Sequence, residues 1–166
     1  MKVFNPEHRD VVIDLINRAP FLTRVGVHVV ELEQGVFKSR CEVTYDMLNS
    51  FGGIHGGAYA AIMDSACYYC AYADVPENKG FITIDLQTNY LRSARVGDVV
   101  NCESHVIKLG GTIILTEAIC TDDEGRLLAQ ATSKLYASDT IQPISAAMDL
   151  LSPGKTMPPK YIEIDD

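Results

Sequence analysis

The stretch from Asn49 to Ala73 reads NSFGGIHGGAYAAIMDSACYYCAYA, and the rest of the chain is organised around it. It opens with a glycine-rich loop and continues into a run that is apolar on every side except at Asp64. A helix that is apolar all round is expected to be buried. A carboxylate inside such a helix is costly unless it is paired, hydrogen-bonded or chemically active. The stretch therefore predicts a central helix that carries a functional acid.

The start of this helix is a second candidate feature. Gly56 and Gly57 lie where unpaired backbone N–H groups and the positive end of the helix dipole would face an oxyanion. Asp64 follows Gly56 by eight residues, which corresponds to about 12 Å along a helix. One substrate carbonyl cannot easily touch both groups of the same chain. If both act in one reaction, we expect a homodimer with shared sites, in which Asp64 meets the other chain's Gly56 across a two-fold axis.

Composition narrows the class of protein. The 166 residues are enough for one domain with a sizeable core. The formal net charge of −8 argues against a broad nucleic-acid-binding surface. No apolar run reaches the roughly 18 residues of a membrane span, and the start of the chain has no signal-peptide pattern. We therefore expect a cytoplasmic protein that binds neither nucleic acid nor membrane.

The cysteines favour a structural role. All five are predicted to be reduced core residues: Cys41, Cys67, Cys70, Cys102 and Cys120. Cys67 and Cys70 form a C-x-x-C pair, but they lie in the middle of the predicted helix, where a thiolate gains little stabilisation. A zinc site would need a second pair of ligands, and no metal-binding constellation is visible.

The elements around the central helix predict an α+β fold in which one antiparallel sheet wraps one helix. A capped helix over 6–18 comes first, and a hairpin turns at Gln34-Gly35. The central helix is expected to end near Asp74. The predicted strands are 27–33, 36–43, 81–91, 98–108, 112–121 and 127–137.

Three further predictions concern the rest of the chain. Strict alternation in the third strand puts Ile82, Ile84, Leu86 and Tyr90 on one face and a polar set on the other, typical of an interface or a site. His8, like the other histidines outside the loop, is interpreted as a surface or strand residue. We expect a single domain over 1–138 and a C-terminal tail over 139–166 that is extended, with a short helix at 144–151.

The chain resembles the hotdog-fold thioesterases, in particular the PaaI and Them2-like acyl-CoA thioesterases. The resemblance is carried by N-x-x-x-x-x-H-G-G-x-x-x-x-x-x-D, which runs from Asn49 to Asp64. The following strand, FITIDLQTNYLRSARVGD, is also similar to the family's strand after the helix. The resemblance covers roughly 20–138, and it implies an acyl-CoA substrate, no cofactor, and dimers that often pair again into tetramers.

The resemblance also implies roles for matching residues. Asp64 would be the general base that activates water, or the nucleophile that attacks the thioester carbonyl. Gly56 would donate its backbone N–H to the oxyanion. His55 and Asn49 would hold the loop, the thioester or the attacking water, and Thr83 stands where relatives carry Ser or Thr near that water.

Substrate binding adds three residues. Gly57 belongs with the oxyanion loop, although paired glycines also serve simply to let the backbone turn. Arg92 and Arg95 are the best candidates for the phosphates of coenzyme A, with solvated loop charges as the equal alternative. Two other functions remain open at this point: a non-catalytic acyl-CoA binder, and a hydratase or dehydratase on the same fold, which the absence of a His-Phe-Pro type loop disfavours.

Overall fold

The structure is a computed structural model that describes residues 1–164, so Asp165 and Asp166 of the predicted tail lie outside the described part. The elements follow one another as β1 (Lys2–Phe4), α1 (Pro6–Arg18), α2 (Pro20–Val25), β2 (Val27–Glu33), β3 (Val36–Glu42), α3 (Gly56–Cys70), β4 (Gly80–Tyr90), β5 (Val99–Leu109), β6 (Ile113–Thr121), β7 (Leu127–Ser138), α4 (Met148–Leu151) and β8 (Tyr161–Glu163). Short 3₁₀ turns lie at Tyr45–Met47, Tyr72–Asp74 and Ile144–Ala147.

Six antiparallel strands form one sheet in the order β2-β3-β5-β6-β7-β4, and it wraps α3. The helix is buried where it meets the sheet, and Ile62, Met63 and Ala66 are fully inaccessible to solvent. Small side chains on β7, such as Ala129 and Ala131, let the sheet come close. The predicted α+β hotdog fold is therefore confirmed, with the predicted elements in their predicted order.

The N-terminal helix α1 begins as its sequence predicts, and a second helix follows it. The Asn5 side chain accepts a hydrogen bond from the Glu7 N–H, and Pro6 occupies the first turn. Pro20 ends α1, but it also opens α2, which terminates at Gly26 with φ of 78°. Helix α2 was not predicted from the sequence, because a proline after α1 signals the end of one helix as readily as the start of another.

The strict alternation predicted for β4 is wrong beyond Thr83. A β-bulge shifts the register between Thr83, which faces Leu135, and Asp85, which faces Lys134. The extra residue moves the following side chains to the opposite face. Leu86 therefore packs against the core, whereas Ile82 is 51% exposed on the outer face.

The two ends of the chain meet in a small second sheet that the sequence analysis did not predict. β1 pairs antiparallel with β8, and the Met1 ammonium donates to the Ile164 carbonyl at 2.8 Å. The predicted short helix in the tail is confirmed as a 3₁₀ turn followed by α4. The segment 139–164 (the C-terminal segment) thus returns to the N-terminus rather than extending away.

The prediction that His8 lies at the surface or in a strand is wrong, because His8 is 1% exposed on α1. Its ring nitrogens lie 2.7 Å from the Tyr72 hydroxyl and 2.7 Å from the Pro158 carbonyl oxygen. Both partners are distant in sequence, so local pattern gave no sign of this burial.

The central helix ends at Cys70 rather than near Asp74, and a 3₁₀ turn continues the chain to Asp74. All five cysteines are buried and free, as predicted. Burial raises the pKa of Cys67 and of Cys70 to about 12, so neither thiol is poised as a thiolate. None of the helices within residues 1–164 has the length and apolar character needed to cross a membrane.

Candidate active site

The loop before α3 is held together by one side chain. The Asn49 carboxamide oxygen accepts from the Phe51 N–H at 2.9 Å and the Gly53 N–H at 3.3 Å, while its NH₂ donates to the Ile54 carbonyl at 3.3 Å. These bonds fix the conformation of the loop and the direction in which the chain enters α3. In a single chain, Asn49 is therefore a loop-organising residue.

The first two N–H groups of α3 are used differently. His55 is the N-cap residue, and its Nδ1 accepts from the Gly57 N–H at 2.8 Å. Gly57 is thereby satisfied within the loop. The Gly56 N–H has no acceptor among residues 1–164. It lies at the positive end of a 15-residue helix, where a developing negative charge would be stabilised.

The close approach of Tyr90 leaves little room for a side chain at position 56. A Cβ on it would lie 3.1 Å from Cε2 of Tyr90, closer than side chains normally approach. The Tyr90 ring in turn lies against Tyr59, with ring centroids 6.2 Å apart. The phenol of Tyr59 donates to the Arg92 carbonyl at 3.0 Å, which ties α3 to the chain after β4. The free N–H is thus held on a rigid support.

Asp64 lies in the middle of α3 and faces β4. Its carboxylate accepts from the Thr83 hydroxyl at 3.0 Å. No Lys, Arg or His within the described chain comes within ion-pairing distance of this carboxylate. It is half-buried, so water or substrate can reach it. A carboxylate that is oriented by one hydroxyl and free of a neutralising cation is suited to accept a proton or attack a carbonyl.

The structure brings the predicted site residues together in two groups. Asn49, His55, Gly56 and Gly57 surround the start of α3, and Asp64 with Thr83 lies two turns further along. Gly56 and Asp64 belong to one regular helix. The distance of roughly 12 Å that was expected between them therefore holds. Neither group holds both an oxyanion donor and an acid.

The predicted arginines differ in position. Arg92 lines a groove of about 330 Å³ together with Asn49, Gly56 and Tyr90. Arg95 lies in the turn between β4 and β5, where its backbone N–H donates to the Asp98 carboxylate at 2.8 Å. Only Arg92 of the two is beside the oxyanion loop.

A second groove was not predicted. It has a volume of about 540 Å³, lies between α2 and the start of α3, and is lined in part by Phe21, Arg24, Met47 and His55. Arg24 adds a cation beside His55. The sequence gave no signal for it, since α2 itself was missed.

Comparison with known proteins finds similarity to thioesterases. Residues 51–129 match the thioesterase superfamily. A Caenorhabditis elegans protein classed as an esterase, F42H10.6, is 34% identical over 96 residues, which are 57% of this chain and 56% of that protein's length. Human acyl-coenzyme A thioesterase 13 is 26% identical over 125 residues, covering 72% of this chain and 86% of the human protein.

The solved structures agree on the fold. The PaaI protein from the Escherichia coli phenylacetic acid degradation operon superposes with a TM-score of 0.73 at 16% identity, covering 82% of this chain and 95% of PaaI. The fold is therefore the hotdog fold. The chain is similar to the thioesterase superfamily over residues 51–129, a little under half of its length, and it shares the fold of PaaI. It spans little more than half the length of the nematode relative.

Proposed function

We propose that this protein hydrolyses acyl-CoA thioesters at two equal sites, each formed by Asp64 of one subunit and the Gly56 N–H of its partner. The observation that carries the proposal is the separation of Asp64 and the Gly56 N–H along α3. The acid and the free N–H are both exposed to ligand, yet they lie too far apart to act on one carbonyl within a chain. Related acyl-CoA thioesterases support the choice of substrate.

The free edge of the sheet supports a shared site. β4 is the last strand of the sheet, and it carries Thr83 next to Asp64. An unpaired edge strand of 11 residues is a template for pairing with another chain. The opposite edge strand, β2, is partly covered, since Asn17 of α1 accepts from the Val29 N–H at 2.9 Å. A second copy that adds at β4 would run antiparallel and bring the two helices alongside each other.

Pairs of dimers are also part of the proposal. On the outer face of the sheet, Ile82, Tyr136 and Ile113 lie in register across β4, β7 and β6. They are 51%, 37% and 40% exposed. Such a row of apolar side chains favours a further contact between dimers. Light scattering that gives the mass of four chains would support it, and a mass of two chains would limit the assembly to the dimer.

The chemistry at such a site follows from its two groups. As general base, Asp64 takes a proton from water while the water oxygen bonds to the thioester carbonyl carbon. As nucleophile, it bonds to that carbon itself and forms an anhydride, which water then hydrolyses. In both routes the carbonyl oxygen becomes an oxyanion that the partner's Gly56 N–H stabilises, typically by a few kcal/mol. The carbon–sulfur bond breaks, and the thiolate leaves.

The remaining predicted site residues have supporting roles in this proposal. His55 and Asn49 hold the donor loop in place, and Thr83 orients the carboxylate. Arg92 is the candidate for a phosphate of coenzyme A because it lines the groove beside Gly56. Arg95 is the weaker candidate, since it lies in a turn outside that groove.

Thiol release from acyl-CoA tests the function directly. We expect turnover by the wild type and a loss of about a hundredfold or more in Asp64→Asn, which keeps the shape but removes the base or nucleophile. Asp85→Asn is the matched control, since Asp85 lies on the adjoining strand β4 but pairs with Lys134 on the outer face. Binding of acyl-CoA without thiol release, in both wild type and variant, would contradict hydrolysis and leave a binding protein.

A single turnover in water enriched in heavy oxygen separates the two routes. If Asp64 is the base, the label enters the product acid in the first turnover. If it is the nucleophile and water attacks the aspartyl carbon, the first product carries oxygen from Asp64 instead, and the label appears in the protein.

A further inference from the structure

The side chains of α3 and β4 form a continuous seam that passes the candidate acid. Because the helix and the strand run in opposite directions here, Gly56 lies against Tyr90 at one end and Asp64 meets Thr83 in the middle. One turn further on, Tyr68 stacks on Phe81 with ring centroids 4.2 Å apart. An acyl group that extends from Asp64 away from Gly56 would therefore meet these two rings first.

Behind the two rings lies the C-terminal segment. The chain crosses the start of β4, where the Gly80 N–H donates to the Ile141 carbonyl at 3.1 Å. The approach is so close that a Cβ on Gly80 would lie 2.5 Å from the carbonyl oxygens of Ile141 and Gln142. Further along the segment, Ile144 and Met157 pack against the core. The segment thus blocks the end of the seam.

The segment is fastened by buried polar contacts. Lys160 is 3% exposed, its ammonium donates to the Val75 carbonyl at 2.5 Å, and it lies over the Tyr72 ring at 4.0 Å. The Asn5 side chain donates to the Pro159 carbonyl at 2.7 Å, and the His8 ring contacts the Pro158 carbonyl. These contacts come from both α1 and the end of α3, so the segment is a fixed wall in this structure.

Almost no space remains behind the rings. The cavity bounded by Tyr68, Phe81, Ile144 and Met157, with Lys160 and His8, has a volume of about 20 Å³. This is room for about one water molecule. A long acyl chain that reaches Tyr68 therefore has nowhere to continue.

We propose that an acyl group follows the seam between α3 and β4, and that the C-terminal segment is the end wall of this seam and restricts the protein to short or compact acyl groups. The inference rests on the proposed function. It assigns a role in specificity to residues outside the matched 51–129 segment. The rings of Tyr68 and Phe81 limit how far the acyl chain can extend. Ile144 and Met157 close the space behind these rings.

The wild-type protein tests the proposal first. We expect kcat/KM for butanoyl-CoA or hexanoyl-CoA to exceed that for dodecanoyl-CoA by about tenfold or more, since excess methylene groups without room are strongly disfavoured. Equal or better turnover of dodecanoyl-CoA would overturn the end wall while the hydrolase function stands. Absence of turnover with every thioester would overturn the proposed function, and the inference would fall with it.

Variants then test the segment itself. Tyr68→Ala removes the ring between Asp64 and the cavity, and we expect the dodecanoyl-to-butanoyl ratio of kcat/KM to rise about tenfold. Adding Met157→Ala should raise the ratio again, because it enlarges the space behind. The matched control adds Leu150→Ala, which lies in the same segment but is 81% exposed.

The outcomes are separable. A further rise with Met157→Ala but not with Leu150→Ala supports the end wall. A rise with Tyr68→Ala that Met157→Ala does not increase would overturn the role of the segment. Where thermal unfolding shows that Tyr68→Ala is not folded, Tyr68→Leu replaces it, and an unchanged ratio in a folded Tyr68→Leu/Met157→Ala protein would overturn the proposal.

Discussion

The two ends of α3 differ in almost every physical respect. At its start, His55 and Gly57 are exposed, a glycine replaces any side chain, and the Gly56 N–H has no acceptor among residues 1–164. At its end, Cys70 is buried, as is Tyr72 in the turn that follows, and Tyr72 contacts His8 of α1 and Lys160 of the C-terminal segment.

The start of the helix is therefore suited to catalysis, and its end is suited to stabilising the fold. Unsatisfied backbone donors are tolerated where ligand or water can reach them, and they are costly where neither can. We therefore expect substitutions at the open end to reduce activity with little loss of stability. Substitutions at the closed end should act first on stability.

Gly56→Ala at the open end should have the largest effect in this comparison. The added Cβ would press on the Tyr90 ring and displace the N–H from the oxyanion, so we expect kcat to fall about tenfold or more. Tyr90 is 51% exposed, so the new contact disturbs little buried surface and the free energy of unfolding should change little. Gly111→Ala is the control, because its Cβ would meet no atom within 4 Å. Equal activity in both variants would remove Gly56 from the oxyanion site.

Tyr72→Phe tests the closed end. It deletes one hydroxyl and leaves the His8 Nε2 buried without its partner, which should lower the free energy of unfolding by about 2 kcal/mol. Urea unfolding measures the change. Tyr45→Phe, at a side chain that is 80% exposed, is the matched control and should be neutral. A Tyr72→Phe protein as stable as Tyr45→Phe would mean that the buried pair does not fasten this end.

A smaller effect is expected from the pH dependence of the closed end. Burial lowers the pKa of Lys160 to about 8, against the opposing charges of Glu77 and Asp74. An unfolded lysine titrates near 10.4, so between about pH 8 and pH 10 the unfolded chain holds a proton that the folded chain has lost. The free energy of unfolding should therefore rise with pH in this window, by at most about 2 kcal/mol.

Lys160→Met removes this dependence, so the stability of the wild type relative to the variant should increase from pH 8 to pH 10. Lys155→Met is the control in the same segment, since that side chain is 65% exposed. A relative stability that is flat with pH, or falls, would show that burial does not lower the pKa of Lys160.

The same two ends explain what the sequence could predict. The start of α3, its acid and the strands were predictable because their signals are local: paired glycines, an all-round apolar run, and turns such as Gln34-Gly35 between alternating strands. The structure has Thr83 hydrogen-bonded to Asp64, and the role near the attacking water that the family pattern implies for Thr83 stays a prediction.

The closed end was not predictable because its contacts join distant parts of the chain. His8 bonds to residues 64 and 150 positions away, and nothing in its neighbours marks it as buried. The bulge after Thr83 inserts one residue, which a count of alternation cannot detect. The second helix was lost because a proline that ends one helix is equally suited to begin the next.

Mixing two variants of low activity tests the central claim most directly. Asp64→Asn and Gly56→Ala subunits are unfolded, combined and refolded, and thiol release from acyl-CoA is measured. If each site joins Asp64 of one chain to Gly56 of the other, mixed dimers hold one intact site, and activity should return to about a quarter of the wild-type value. If the mixture is no more active than its two components, the sites are not shared in this way, and the account is contradicted.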